Sequence, residues 1–261
     1  MVATIQRVGQ GAKQRTIAYL RGQQAGAPGL VWLSGFKSDM VSTKASAVAD
    51  WAAGQGAAML RFDYSGHGQS GGDFAAGTIS AWREETLALI RAQTSGPQIL
   101  VGSSMGGWLA LLAAQALAAH GEAGRLAGMV LIAPAVDFTQ KLLWARLPEA
   151  ARHEIMTRGV WLRPTPYGPE PMPITRALIA DGARNLLMDA PMRSYCPVHI
   201  LQGMQDEDVP FSHAQALVAL LPHDEVTLTL VPDGDHRLSR DQDIALLLKT
   251  LAQMRANTRP A

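Results

Sequence analysis

The stretch GPQILVGSSMGGWLALLAAQALAAH, residues 96–120, changes character in its middle. An apolar run, QILV, leads into two serines and a pair of glycines, and a long run rich in alanine and leucine follows. A short apolar run bounded by glycine is typical of a buried strand, and the longer run is typical of a buried helix. The stretch therefore predicts a strand that turns sharply into a helix, with serine at the turn.

Strand and helix patterns alternate along the rest of the chain. An opening hairpin is predicted at 2–7 and 14–20. Further strands are predicted at 30–33, 57–62, 98–102, 129–132, 198–201 and 226–231, and helices at 41–53, 79–93, 105–119, 212–221 and 241–254. Ser212 and Gln215 predict a capping box for one of these helices. Because strands joined by helices form parallel sheets covered on both faces, we predict a doubly wound α/β fold.

One interval interrupts this alternation. About 60 residues separate the strand that ends near Ala133 from the strand that starts near Pro197, and an insertion of that length is usually a lid rather than a loop. We predict one domain in two parts, 1–135 and 196–261, with a cap inserted at 136–195. Inside the cap we predict helices at 142–156 and 174–188, joined by the proline-dense link WLRPTPYGPEPMP.

Charge and apolar patterning exclude several classes of function. Lys and Arg number 23 against 22 Asp and Glu among 261 residues, and no block of like charges occurs, which argues against nucleic acid or an anionic membrane as partners. The longest apolar stretch contains Gln115 and is too short to span a bilayer, and the first residues lack a signal-peptide core. The single cysteine, Cys196, cannot form an internal disulfide. We expect a cytoplasmic protein.

Two serines satisfy the pattern G-x-S-x-G. Ser104 lies in GSSMG, at the predicted turn between strand and helix, where small neighbours let the backbone fold tightly and expose a nucleophilic hydroxyl. Ser70 lies in GQSGG, with no strand entering it and no helix leaving it. We predict that Ser104 is a nucleophile; the alternative is an ordinary helix N-cap.

A serine nucleophile needs a base within hydrogen-bond reach and a carboxylate that orients the base. His236 lies in a glycine-containing loop directly after the strand predicted at 226–231, which suits a base. The acid is expected after an earlier strand, and QGMQDEDVPF supplies Asp206 and Asp208. Asp206 is favoured; Asp208 and Asp137, which follows another strand, remain alternatives.

Acyl transfer also needs donors for the oxyanion of its transition state. The backbone N–H of Met105 follows Ser104, and the N–H of Phe36 lies in the loop that leaves the first parallel strand, LSGFKSDM. These two groups are the predicted oxyanion donors. Lys37 and Asp39, in the same loop, are expected to be charges at the rim of the site.

With Ser104, Asp206 and His236 in this order, the chain resembles the α/β-hydrolase superfamily. RFDYSGHGQSGG (61–72) is similar to the loop after that superfamily's fourth strand. GPQILVGSSMGGWL, GVWLRP, CPVHILQGMQDEDVP and DHR resemble a mitochondrial branch whose activities are palmitoyl-protein thioester and acyl-glucuronide hydrolysis. The resemblance implies the same three residues as a triad and favours Asp206 over both alternatives.

These observations predict a serine esterase or thioesterase that works through an acyl-Ser104 intermediate, without a metal or organic cofactor. The expected substrate is a small-molecule or acyl-protein ester or thioester. Trp144, Trp161 and Tyr167 of the cap are candidates for an apolar acyl pocket, or for the cap's own core. The alternatives are a carbon–carbon hydrolase or perhydrolase with the same triad, a peptidase, and a catalytically silent binding scaffold.

Overall fold

The computed structural model describes residues 3–165 and 170–258. Its strands are β1 (Thr4–Val8), β2 (Arg15–Arg21), β3 (Gly26–Leu33), β4 (Ala57–Phe62), β5 (Gln98–Ser103), β6 (Leu126–Ile132), β7 (Val160–Arg163), β8 (Met172–Thr175), β9 (Val198–Gly203) and β10 (Val226–Val231). Its helices are α1 (Thr43–Gly54), α2 (Ile79–Gln93), α3 (Met105–Ala119), α4 (Glu149–Arg158), α5 (Arg176–Gly182), α6 (Phe211–Ala219) and α7 (Asp241–Asn257).

Eight of these strands form one sheet in the order β1-β2-β4-β3-β5-β6-β9-β10. The opening hairpin β1–β2 is antiparallel and joins β4 in antiparallel fashion. From β4 to β10 all neighbours pair in parallel. The mostly parallel, doubly wound sheet predicted from the alternating pattern is therefore confirmed.

Successive residues of the central strands face opposite sides of this sheet. Val31 and Leu100 pack in a core formed with α2, α3 and α6, whereas Leu30 and Ile99 pack in a second core formed with α1 and α7. A strand covered on both faces needs an apolar residue at every position, which explains the unbroken runs LVWL and QILV. Full burial of each such side chain contributes about 1.5–3 kcal/mol.

The winding of the sheet determines where a site can form. β3 has β4 on one side and β5 on the other, so the strand order reverses between β3 and β5. Ligands of open α/β sheets bind at such a reversal, beyond the carboxyl ends of the strands. The loops that leave β3, β5, β9 and β10 all open toward this end, because those strands are mutually parallel.

Most predicted boundaries outside the cap differ from the observed ones by a few residues, with one wrong detail. α6 begins at Phe211, one residue early, and no side chain caps it, so the capping box of Ser212 and Gln215 is wrong. Pro210 occupies the N-cap instead, and its dihedral angles direct the chain into the helix. Val2, the predicted start of the hairpin, lies outside the described residues.

The segment between β6 and β9 departs most from its prediction. A helix was expected at 142–156, but the chain forms a π-helical turn at Thr139–Leu143, a 3-10 turn at Trp144–Arg146, and only then α4. The break has a local cause, because Pro148 excludes helical geometry at the residue before it. Leu147 accordingly has φ −67° and ψ 138°.

The proline-dense link is not a simple connection. Its two ends pair as the antiparallel strands β7 and β8, while residues 166–169 lie outside the described part of the chain. The helix expected at 174–188 stops at Gly182, because the side chain of Asn185 binds the carbonyl of Asp181 at 2.8 Å and competes with the helical hydrogen bond. The cap thus combines helices with a hairpin, and its limits of 136–195 stay a prediction.

Candidate active site

Ser104 lies on a strained turn between β5 and α3. Its φ of 54° and ψ of −118° lie in a region that costs about 1–3 kcal/mol for a residue with a side chain. A Cβ on Gly106 would lie 2.0 Å from the carbonyl oxygen of Leu33, and one on Gly102 would lie 2.5 Å from that of Gly106. Both glycines of the GSSMG pattern are therefore required by close backbone contact.

His236 joins Ser104 to Asp206. Its Nε2 lies 3.1 Å from the Oγ of Ser104, and its Nδ1 lies 2.8 Å from the Oδ2 of Asp206. A carboxylate beside Nδ1 keeps the proton there, which leaves Nε2 free to accept the hydroxyl proton of serine. The structure thus brings the three predicted residues, from three separate exit loops, into one hydrogen-bonded chain.

Asp206 is held more firmly than the sequence indicates. The residue is buried, and its Oδ1 accepts the backbone N–H groups of Asp208 at 3.0 Å and Val209 at 2.8 Å. Its Oδ2 accepts Nε2 of Gln202 at 3.1 Å in addition to the histidine. Four donors to one carboxylate stabilise the negative charge without exposing it to water.

The two alternative acids have other partners. Asp208 directs its carboxylate toward the cap, 3.8 Å from a guanidinium nitrogen of Arg163. Asp137 is fully buried, and its two oxygens accept the N–H groups of Leu187 at 2.9 Å and Met188 at 2.8 Å. Burial raises the pKa of Asp137, against the effect of those hydrogen bonds. Asp206 alone of the three contacts His236.

Both predicted oxyanion donors belong to residues on the wall of the cavity that contains Ser104. Met105 is the first residue of α3, where the N–H has no acceptor within the helix and the helix dipole is positive. The loop that carries Phe36 lies against the serine, because a Cβ on Gly35 would be 3.3 Å from the Cβ of Ser104. Their role as donors remains a prediction.

The loop with Phe36 is supported by His67, whose role sequence reasoning missed. The Nε2 of His67 accepts the N–H of Lys37 at 3.1 Å, and its Nδ1 binds the carbonyl of Ser65 at 3.2 Å. Burial lowers the pKa of His67 to about 4, so the ring is neutral and able to accept at pH 7. Its position between two glycines in YSGHG, directly after a strand, was the available signal.

The loop with His236 is held by a lysine that the sequence analysis did not consider. The amine of Lys44, on α1, donates to the carbonyl of Arg237 and to the hydroxyl of Ser239 at 3.3 Å. Burial, with the nearby positive charge of Arg237, lowers the pKa of Lys44 to about 8. The side chain of Leu238 is buried in the second core and anchors the same loop.

Ser70, the other serine in a G-x-S-x-G frame, has a structural position. Its hydroxyl donates to the carbonyl of Asp63 at 2.6 Å and accepts the N–H of Ala18 at 2.8 Å. These bonds tie the loop after β4 to β2. Ser70 is absent from the wall of the cavity around Ser104, whereas Ser103 lies on it.

A cavity of about 830 Å³ opens over Ser104 and His236. Its cap side is mainly apolar, with Phe138, Leu142, Leu143, Leu147, Trp161, Met172 and Ile174, and also carries Arg146, Arg163, Thr165 and Glu170. Its core side carries charges at Lys37, Asp39, Lys44, Glu207, Asp208 and Arg237. The predicted pocket residue Trp161 is thus on the wall, and so are the predicted rim charges Lys37 and Asp39.

The other two predicted pocket residues differ. Trp144 is absent from the cavity wall; it packs on the cap's own core, with the guanidinium of Arg152 5.6 Å from its ring centre. Tyr167 lies outside the described residues.

Among residues 3–165 and 170–258, no helix has both the length and the apolarity needed to cross a bilayer. Within the same ranges, no group of three or more His, Cys, Asp or Glu is arranged to hold a metal ion.

A Ser–His–Asp chain beyond the carboxyl ends of a doubly wound parallel sheet is the arrangement of an α/β-hydrolase site. The sequence model of the Alpha/beta hydrolase family matches residues 25–247. The chain belongs to the alpha/beta hydrolase family.

Two named relatives and two solved structures place the chain within this family. It is 36% identical over 227 residues to the mitochondrial palmitoyl-protein thioesterase ABHD10 of Mus musculus, covering 86% of this chain and 74% of that protein. The Homo sapiens protein of the same name is 34% identical over 226 residues, with coverage of 86% and 72%. A putative hydrolase from Agrobacterium vitis S4 superposes with a TM-score of 0.94 at 49% identity, covering 97% of this chain and 98% of that chain. The mouse alpha/beta hydrolase domain-containing protein 10 superposes with a TM-score of 0.86 at 32% identity, covering 98% and 100%.

Proposed function

We propose that this protein is a serine hydrolase that cleaves carboxylic esters or thioesters through an acyl-Ser104 intermediate. The observation that carries the proposal is the continuous chain from Ser104 Oγ through His236 to Asp206, with spacings of 3.1 and 2.8 Å. The similarity to proteins named as thioesterases supports the same class of reaction.

In the first step, Oγ of Ser104 attacks the acyl carbon while its proton passes to Nε2 of His236. The carbonyl oxygen becomes an oxyanion, which accepts the N–H groups of Phe36 and Met105. Asp206, on the other side of the ring, stabilises the positive charge that develops on the imidazole. The oxyanion then reforms its carbonyl and expels the thiol or alcohol, which takes its proton from His236.

In the second step, water attacks the acyl-enzyme. His236 removes a proton from the water and returns it to Oγ of Ser104 as the carboxylic acid leaves. All bonds and protons balance without an oxidant, a metal or an organic cofactor. We accordingly propose that none is needed.

The two sides of the cavity suggest how a substrate binds. The apolar side, with Trp161 and Met172, suits the acyl chain, because each CH₂ group that leaves water contributes about 0.8 kcal/mol. The charged side, with Lys37 and Arg237, suits the hydrophilic leaving group. An acyl thioester or ester of a small molecule or of a protein fits this division.

The first test is intact-mass labelling with a fluorophosphonate probe, which reacts with an activated serine. We expect a single adduct in the wild-type protein and in Ser103→Ala, and none in Ser104→Ala. Ser103 is the matched control because it neighbours Ser104 and lies on the same cavity wall. No adduct on folded wild-type protein would contradict the proposal and favour a binding scaffold.

Turnover separates the remaining alternatives. We expect hydrolysis of p-nitrophenyl esters and of acetyl, octanoyl or palmitoyl thioesters. Cleavage of a vinylogous diketone in place of these esters would favour a carbon–carbon hydrolase. Formation of a peracid from a carboxylic acid and hydrogen peroxide would favour a perhydrolase. Cleavage of a peptide alone would favour a peptidase.

We also propose that the protein works in the cytoplasm, a reducing compartment that agrees with a single cysteine unable to form an internal disulfide. Subcellular fractionation of the source cells, followed by immunoblotting, tests this location. Recovery of the protein in an organelle or membrane fraction would contradict it.

A further inference from the structure

Gln202 is a fully buried amide directly behind Asp206, at the end of β9. Its Nε2 donates toward the Oδ2 of Asp206 at 3.1 Å and toward the carbonyl oxygens of Gly203 and Val209, both at 3.0 Å. These two carbonyls mark the ends of the loop that carries Asp206 in its middle. One amide group therefore closes the loop and touches its carboxylate.

The oxygen of the same amide differs from the nitrogen in this respect. Oε1 of Gln202 is buried and has no hydrogen-bond partner among the described residues. A buried polar atom without a partner costs about 1–3 kcal/mol, a cost that an apolar side chain of similar length would not carry. Reversing the amide would place Oε1 against three oxygens, so only the observed orientation lets the group donate.

We propose that Gln202 is a positioning residue, which fixes the Oδ2 of Asp206 toward His236. The inference rests on the proposed function, because it gives Gln202 a role through the proposed acid. Among the described residues, Oδ2 receives two hydrogen bonds, from His236 and from Gln202. The amide therefore determines both the direction of this oxygen and how strongly the oxygen attracts the imidazole of His236.

Removing the donor has a predictable effect on proton transfer. A carboxylate that has lost one hydrogen bond attracts the protonated imidazole more strongly, so His236 retains its proton to higher pH. The acidic limb of the kcat/KM profile should then move up by about half a pH unit. Looser positioning of Asp206 should also lower the plateau of kcat/KM by about 10-fold.

The test compares Gln202→Met with Leu201→Met, a matched control at the adjacent buried position, which packs in the second core. For Gln202→Met we expect a lower unfolding midpoint, because the carbonyls of Gly203 and Val209 lose a donor, together with an about 10-fold lower kcat/KM on p-nitrophenyl butyrate and the shifted acidic limb. For Leu201→Met we expect a wild-type pH profile. Gln202→Glu, which replaces the donor by an acceptor, should lower both stability and activity.

A second measurement does not depend on turnover. The proton between His236 Nδ1 and Asp206 Oδ2, which lie 2.8 Å apart, should give a strongly deshielded ¹H NMR signal, assigned by its loss in Asp206→Asn. We expect this signal to shift and broaden in Gln202→Met and to stay unchanged in Leu201→Met.

The outcomes separate the two proposals. If wild-type protein turns over esters while Gln202→Met keeps its kcat/KM, its pH profile and its NMR signal, the role of Gln202 is overturned and the proposed function stands. Loss of activity in proportion to loss of folded protein, with an unchanged profile and signal, would also overturn it. If wild-type protein lacks turnover and a fluorophosphonate adduct, the proposed function fails, and the NMR signal still decides whether Gln202 positions Asp206.

Discussion

The α/β core and the cap meet over one cavity but are built in different ways. In the core, Ser104, Asp206 and His236 each follow the carboxyl end of a parallel strand, and each loop is held by several hydrogen bonds. The cap consists of short helices, helical turns and a hairpin around a small apolar core of its own. From this difference we propose that the core supplies the reactive groups, while the cap supplies the surface that selects among substrates.

The largest effect is expected at the core side of the cavity. Ser104→Ala should lower kcat for ester hydrolysis by about 10⁴-fold, because it removes the nucleophile of the proposed acyl intermediate. Ser103→Ala should keep kcat within about threefold of wild type, measured with p-nitrophenyl butyrate. Retained turnover in Ser104→Ala would show that Ser104 is not the nucleophile. The contrast between a reactive core and a substrate-selecting cap would then fail.

A pH-dependent effect should come from the support of the Phe36 loop. The pKa of His67 is about 4 in the folded protein against 6.5 for a free histidine, so its contribution to stability is complete above pH 6.5 and is lost as pH falls toward 4. Between pH 7.5 and pH 5 the loss should be about 2 kcal/mol. His67→Gln, which can still donate and accept, should lack this part of the dependence.

Urea unfolding of wild type and His67→Gln at the two pH values measures this difference. Burial also lowers the pKa values of His199 and His213, but these contributions are common to both proteins and cancel. An equal loss of stability in both proteins would show that His67 does not link the folding of the core to pH.

A moderate effect on the free energy of unfolding should come from a change that loosens the cap and leaves the core unchanged. Asp137→Asn keeps the shape of the side chain and suits the residue's φ of 56°, but it replaces one acceptor oxygen by a donor. Stability should fall by about 1–3 kcal/mol, because one N–H of Leu187 or Met188 loses its partner.

Hydrogen exchange localises that effect. Amides at 183–190 should exchange faster in Asp137→Asn, while those of β9 keep their wild-type protection. The matched control is Asp189→Asn, an exposed carboxylate paired with Lys141, whose loss should change stability by less than about 1 kcal/mol. Faster exchange throughout β9 would mean that core and cap unfold together.

The smallest effect is expected on substrate choice. Trp161→Ala removes part of the apolar wall and should lower the ratio of kcat/KM for octanoyl over acetyl thioesters by about 5-fold, or about 1 kcal/mol. Trp144→Ala, which removes a cap tryptophan outside the wall, should leave the ratio unchanged. Equal changes in both variants would indicate that chain-length selection depends on the stability of the cap and not on the cavity wall.

Local patterns predicted most of the core because its elements are regular and buried. Residues 79–93 and 105–119 were predicted with the bounds that α2 and α3 have, since the first repeats apolar residues at helical spacing and the second is a long apolar run. The same patterns failed in the cap. There Pro148 interrupts a helix, and β7 and β8 pair across a proline-dense segment whose composition indicates no strand.

By itself, the sequence determined the alternating α/β pattern, the strand-to-helix turn at Ser104 and the loop position of His236, because each depends on neighbouring residues. It left Asp206, Asp208 and Asp137 as alternatives until a family resemblance was used. Only the tertiary structure decided which carboxylate reaches the histidine, since that depends on hydrogen bonds between separate loops. The same reason explains why His67 and Gln202 were not predicted: their partners lie on other segments or depend on how a loop closes, and periodicity carries no information about either.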